Sequence, residues 1–224
     1  MRRKYMPAKL SDLDTSRRNA ILNAALKEFA LRGFDNASTN VIAKEAGFSK
    51  ALMFHYIGSK QELFLFVFDY FSELLNKEYY QLINYDELDL LKRLHQSYLL
   101  QIKLLKEYPW IFEFNKLSAV TNSSEINNEL KERSSKKDAD CYPTIFDTID
   151  KSKFRPDLEI EKSKHIILWS CTGFANQMLE DIRNSEYSHL DYTAMEKALD
   201  DLFTELRHVF YKPEAYNPEA QMEV

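Results

Sequence analysis

Ser38-Thr39-Asn40-Val41-Ile42-Ala43-Lys44-Glu45-Ala46-Gly47-Phe48-Ser49-Lys50-Ala51-Leu52-Met53-Phe54-His55-Tyr56-Ile57 reads as two short helices divided at Gly47. Ser38 or Thr39 caps the first helix, because a side-chain oxygen there accepts from an orphan backbone N–H. Ile42, Ala43 and Ala46 give that helix a narrow apolar face. Gly47 stands where a helix ends in the left-handed conformation, which glycine adopts without a Cβ clash. Ser49 caps the second helix, and Phe48 before it is placed to staple onto Met53.

Two helices joined by so short a turn make a helix-turn-helix, whose second member can enter a DNA major groove. On that second helix Met53 and Ile57 are four apart and point inward together. Ala51 and His55 fall opposite, with Lys50 and Phe54 on one flank and Leu52 and Tyr56 on the other. No carboxylate occurs between Lys50 and Gln61. Ordinary helical hairpins share the bare pattern, so the context has to decide. Gly58-Ser59-Lys60-Gln61-Glu62-Leu63-Phe64 follows, with Ser59 and Glu62 spaced as a capping box. Lys60 falls in that helix's first turn, where the dipole disfavours a cation unless an anion such as a DNA phosphate is near.

The run from Phe34 through Phe64 resembles the DNA-binding domain of the tetracycline-repressor (TetR) family, in order and spacing, over residues 15–75. The resemblance implies an all-α protein: a three-helix head with its helix-turn-helix at 38–57, then a larger helical domain for ligand binding and dimerisation at 76–212. Residues 1–14 and 213–224 read as tails.

Charge agrees with that division. Residues 1–60 carry 11 Lys and Arg against 5 Asp and Glu, whereas residues 61–224 carry 19 against 30. A basic first quarter on an acidic body suggests that one end meets a polyanion. Apolar residues at 45% and charged residues at 29% are ordinary for a globular chain. Only four glycines occur, three of them before residue 60, and long 3.6-residue periodicities argue for helix throughout. No run approaches the ~20 apolar residues of a membrane span, and the basic start lacks an apolar segment after it, so a cytoplasmic location is expected. Cys141 and Cys171 have no metal-like spacing and read as idle thiols.

In order, a first helix is expected from Thr15 to Arg32, closed by Gly33, with Leu22, Ala25, Leu26 and Phe29 inward. Arg17 and Arg18 at its start are within reach of backbone phosphates. A long helix runs from Ser59 to about Leu82, shared by head and body. Helices follow over 86–107, from Trp110, from Glu125 past Pro143, over 157–184 and over 191–211, with a loop at 121–124. Ile160, Ile167, Cys171, Phe174, Met178 and Ile182 stripe the first of the last pair. Met195, Leu199, Leu202, Phe203, Leu206 and Phe210 stripe the second. Small residues from Ser170 to Ala175 allow a close helix approach.

Carried over from the family residue by residue, Thr39 matches a phosphate contact and Asn40 a position that reaches a base. Lys50, Ala51 and Leu52 match the base-facing start of the recognition helix, and His55, Tyr56 and Lys60 match phosphate-holding positions. Lys50 has the chemistry to donate to guanine, and Ala51 or Leu52 to touch a thymine methyl. Phe54 stands where the family usually has Tyr and lacks the hydroxyl; Ile57 replaces a usual Phe. The resemblance also implies a homodimer through the last two long helices, a palindromic operator on double-stranded DNA and release by a small-molecule inducer. His95, Tyr98, Trp110, Phe114, Phe146, Trp169, Phe174 and Gln177 are the candidate lining for an apolar or aromatic inducer, although aromatics at helical spacing are more often plain core. Neither a cofactor nor a metal is expected. No catalytic motif appears, and His165 and Cys171 lie six residues apart, off a common helix face. The rival readings are a helical small-molecule carrier, which has no need of a basic head, and a transcriptional activator of the same build.

Overall fold

The computed structural model describes residues 10–120, 123, 126–135, 144–184 and 190–215. Cys141, Pro143, most of the 121–124 loop and most of both expected tails lie outside the described residues. Among those described there are nine α-helices: α1 (Thr15–Asn36), α2 (Thr39–Glu45), α3 (Lys50–Ile57), α4 (Lys60–Glu78), α5 (Leu90–Glu107), α6 (Ile111–Val120), α7 (Asn127–Ser135), α8 (Ile160–Asn184) and α9 (Tyr192–Phe210). No β-strand occurs among them, only an isolated antiparallel bridge between Phe154 and Tyr211. The chain is all-α. It divides into two compact units, Met1–Lys77 with Tyr108–Cys141, and Glu78–Glu107 with Tyr142–Val224.

In the first unit α1 packs against both α2 and α6. Ile21, Leu22, Ala25, Leu26 and Phe29 form its buried stripe. Gly33 interrupts α1 at φ 69°, ψ 174°, so the main run stops at Arg32 and one further turn carries the chain to Asn36. That break tucks Phe34 under the helix end. Its ring and that of Phe29 meet Phe64 of α4 edge-on, at 5.3 and 4.9 Å. Phe114 of α6 closes on Phe64 from a third direction at 5.6 Å. Polar ties join the same elements: Arg133 of α7 to Asp69 of α4 at 2.6 Å, and the Ser123 hydroxyl to Asp35 at 2.7 Å.

Several helices begin later than periodicity alone suggests, and local hydrogen bonding explains where. α5 starts at Leu90 rather than near Asp86 because Asp89 accepts from the Lys92 N–H at 3.1 Å, the geometry of a cap. Upstream, Asn84 and Glu87 side chains take the Asp86 and Asp89 N–H groups into turns. α4 gives way after Glu78 to a 3-10 turn at Tyr80–Leu82.

The second unit packs α5 on α9, with α8 beside α9. Ile167, Cys171, Met178 and Ile182 are buried along α8, as are Met195, Leu199, Phe203, Leu206 and Phe210 along α9. At its centre Arg93, 1% exposed, gives all its hydrogen bonds to backbone carbonyls. Nε donates to Glu87, Nη1 to Ile145 and Asp147, and Nη2 to Tyr85 and Thr148, at 2.7–3.1 Å. Three of these five fixed donors pin the 145–148 segment to α5, and the other two hold the turn at Tyr85 and Glu87. Beside them the Tyr211 hydroxyl accepts from the Leu91 N–H and donates to Asp89, whose other oxygen holds Lys153 at 2.7 Å.

Candidate nucleic-acid interface

The helix-turn-helix is set by backbone chemistry at three serines and a glycine. Ser38 caps α2 through the Val41 N–H, and Ser49 caps α3 through the Leu52 N–H at 3.2 Å. Ser59 caps α4 through Glu62 at 3.1 Å. Between α2 and α3, Phe48 donates its N–H to the Ala43 carbonyl at 2.8 Å, and Gly47 donates to Lys44 at 3.2 Å. These paired bonds make the Schellman turn, which needs a left-handed residue at Gly47, here at φ 75°. Phe48 then sets its ring edge-on to Tyr56.

Glu28 is a positioning residue that the sequence pattern alone does not reveal. Buried on α1, it accepts the Ser38 N–H at 2.8 Å and so fixes the start of α2. Its only signal in sequence is an acid inside an otherwise apolar stripe, next to Phe29. Lys27 on the same helix pairs with Glu45 at 2.6 Å, tying the end of α2 as well.

On α3, Met53 and Ile57 are wholly buried, which fixes the helix's rotation. Lys50, Ala51, Leu52 and His55 are consequently exposed, while Phe54 and Tyr56 are half-buried on the flanks. The Lys50 ammonium lies 5.8 Å from the Phe54 ring centroid, and the His55 and Tyr56 rings meet at 5.3 Å. Phe54, without a hydroxyl, thus serves as an apolar face beneath a cation. Asn40 is exposed and Thr39 half-buried in the first turn of α2. Lys60 is already engaged: its Nζ donates to the Asp35 carbonyl at 3.0 Å and sits 4.9 Å from the Phe34 ring. That tie explains a cation in the first turn of α4 before any phosphate is invoked.

The eight candidate ligand residues do not form one group. His95 and Tyr98 meet the Phe203 ring at 5.2 and 6.3 Å, and Phe174 meets Tyr98 at 6.2 Å. His95 also meets Asp200 at 2.7 Å. Burial raises the Tyr98 hydroxyl well above its usual range, with Cys171 and Tyr79 adding to it. Burial likewise pushes the Cys171 thiol up to about 12, which keeps it protonated and unreactive. Phe174 and Gln177 line a cleft of about 300 Å³ with Met178, Asp191, Ala194 and Met195. Phe146 lies half-buried in the 145–148 segment. Trp169 is 69% exposed, on the side of α8 opposite Cys171, and so faces away from Tyr98 and Phe174. Trp110 and Phe114 belong to the first unit, where Phe114 is buried against Phe64.

Comparison with known proteins agrees with this geometry. Residues 21–67 match the family described as bacterial regulatory proteins, tetR family. A 53-residue stretch is 45% identical to the HTH-type transcriptional regulator BetI of Agrobacterium fabrum; the alignment spans 24% of this chain and about a quarter (26%) of that relative. The ketosteroid transcriptional regulator KstR2 of Mycobacterium tuberculosis superposes with a TM-score of 0.58 at 17% identity, over 89% of this chain and 97% of its own. A TetR family transcriptional regulator from Chloroflexus aurantiacus does so with a TM-score of 0.51 at 17% identity, over 91% and 97%. At such identities the structural likeness speaks for the fold. Over residues 21–67, the stretch that holds the helix-turn-helix, this chain is similar to the tetR family of bacterial regulatory proteins.

Proposed function

We propose that the chain is a transcriptional repressor that grips a palindromic operator as a homodimer and lets go when a small molecule enters its helical second unit. The observation that carries the DNA-binding part is the rotation of α3: Met53 and Ile57 buried, Lys50, Ala51, Leu52 and His55 outward, no carboxylate among them. In this reading Asn40, Lys50, Ala51 and Leu52 address base edges. Thr39, His55, Tyr56 and Lys60 hold phosphates, and Phe54 backs Lys50.

Dimerisation through α8 and α9 is supported by apolar side chains left in solvent. Ile166 and Trp169 share the outer face of α8, 46% and 69% exposed, with Gly173 one turn on, where an added Cβ would meet nothing. On α9, Val209 is 50% exposed. A second copy would cover that face, and two heads related by a two-fold axis match a palindromic site. For the inducer, the chain of rings from His95 through Phe203 and Tyr98 to Phe174 supports an apolar or aromatic ligand with one polar group.

The test is direct. Purified protein is titrated onto duplex fragments from upstream of its own gene, and bound fragments are footprinted. Two protected half-sites about one helical turn apart, lost on adding an aromatic inducer, are expected. Failure to shift any upstream fragment in dilute buffer would overturn the reading.

A further inference from the structure

We propose that the second unit carries a separate binding site for a compact, multiply charged oxyanion, in a cleft where the first turn of α5 meets the last turn of α9. The cleft encloses about 430 Å³ and is lined by Asp89, Lys92, Lys153, Thr204, Arg207 and His208, with Ala215 at its edge. Four basic side chains from three separate chain segments converge there. They do so in a unit that is otherwise acidic, with 13 Lys and Arg against 21 Asp and Glu.

The cleft's one carboxylate pairs with Lys153 alone among them. Asp89 already accepts from the Lys92 N–H, the Tyr211 hydroxyl and Lys153, so its oxygens are committed to holding the fold. Arg207 is half-buried and forms no ion pair among the described residues. The hydrogen bond it does make is a long one, from Nη1 to the Phe203 carbonyl at 3.4 Å. A guanidinium carries five N–H donors in a fork shaped for carboxylate or phosphate oxygens, and Arg207 lines the cleft with that fork.

Helix dipoles sharpen the argument. A cation in the last turn of α9 complements that helix's negative end, so Arg207 and His208 are explicable without a ligand. Lys92 is not, because it stands in the first turn of α5, at the positive end, where its charge is disfavoured. Glu87, 3.5 Å from the Lys92 ammonium, offsets this in part at an exposed position. An oxyanion seated beside the start of α5, between Lys92, Lys153 and Arg207, would give Arg207 an ionic partner and add a second one to Lys92 and Lys153. Phosphorylated and polycarboxylate small molecules share that chemistry.

Calorimetric titration of the full-length protein with pyrophosphate, and separately with citrate, tests this. One anion per chain is expected, with a Kd of about 1 mM or below, and whichever probe binds more tightly identifies the oxyanion's source. Arg207→Gln should weaken that binding at least about tenfold while keeping the melting temperature, and Arg207→Lys should recover part of it. Lys197→Gln, an exposed lysine on α9 away from the cleft, should leave it unchanged. Absence of binding by either probe, an unaltered Arg207→Gln variant, or equal weakening by Lys197→Gln would each overturn the site.

Discussion

Lys60→Ala separates two roles of one side chain. In the free protein its ammonium holds the Asp35 carbonyl and the Phe34 ring, so its loss should lower stability by about 1 kcal/mol, a partly exposed hydrogen bond and cation–π contact together. On DNA the same charge is proposed to neutralise one phosphate per head. Each neutralised phosphate contributes a slope of about −0.9 to log K against log salt, so a dimer lacking both lysines should flatten by about 1.8. Between 50 and 200 mM salt, the gap between wild type and variant should narrow about tenfold. Fluorescence anisotropy on an upstream fragment and on an unrelated duplex, across that range, reads both numbers; thermal melting reads the first. Lys50→Ala supplies the contrast. It should reduce discrimination at one base pair by about 1–3 kcal/mol and leave binding to the unrelated duplex nearly intact. A lowered melting temperature with an unchanged salt slope would make Lys60 a strut between α1 and α4 and refute its phosphate role.

Three further outcomes follow from the second unit. Trp169→Glu should convert the proposed dimer to monomer by sedimentation while far-ultraviolet dichroism stays helical; a dimer that persists would move the interface elsewhere. Arg93→Met should cost about 3–5 kcal/mol in urea unfolding, since five backbone carbonyls lose a buried cationic partner; a loss below about 1 kcal/mol would show that the clamp is dispensable. Burial alone would raise the Asp89 carboxyl, but hydrogen bonds from Lys153, the Lys92 N–H and Tyr211 outweigh it and hold the group below its ordinary 3.8. A lowered folded-state value stabilises the protein above 3.8, and the benefit fades as pH falls through the folded value. Asp89→Asn should therefore be less stable than wild type at pH 7, and the two melting curves should converge in acid; a gap independent of pH would refute this.

What the chain reveals before folding is local. The Gly47 turn, the caps at Ser38, Ser49 and Ser59, the inward pair Met53 and Ile57 and the buried stripes of α8 and α9 all rest on spacings of two to five residues. Those spacings have one good backbone solution. Features built across distance escape the same reading. Glu28 meets Ser38 ten residues on, and Lys60 reaches back twenty-five to Asp35; neither contact has a periodic signature. Trp169 illustrates a second limit. Ile166, Ile167, Leu168, Trp169 and Cys171 place apolar atoms around more than half of α8, so an apolar residue off the inward stripe, such as Trp169, still reads as candidate lining. Burial of Ile167 and Cys171 decides it and turns Trp169 outward. Arg93 shows a third, because a guanidinium satisfied wholly by carbonyls needs no acidic partner that a charge pattern would display.

The unit that bears the recognition helix is larger than the helix-turn-helix and its bracing helices. α6 packs on α1, and α7 is tied to α4 through Asp69–Arg133 and Gln61–Glu129. Phe64 touches Phe29, Phe34 and Phe114 at once. It is therefore the point where the interrupted end of α1, the start of α4 and the middle of α6 share one packed contact. Close-packed rings of this kind do not yield continuously; displacing one obliges the others to repack. The ring contacts at Phe64 thus tie α1, α4 and α6 into one packed body within the first unit, and the recognition helix is braced by all three rather than by α1 and α4 alone.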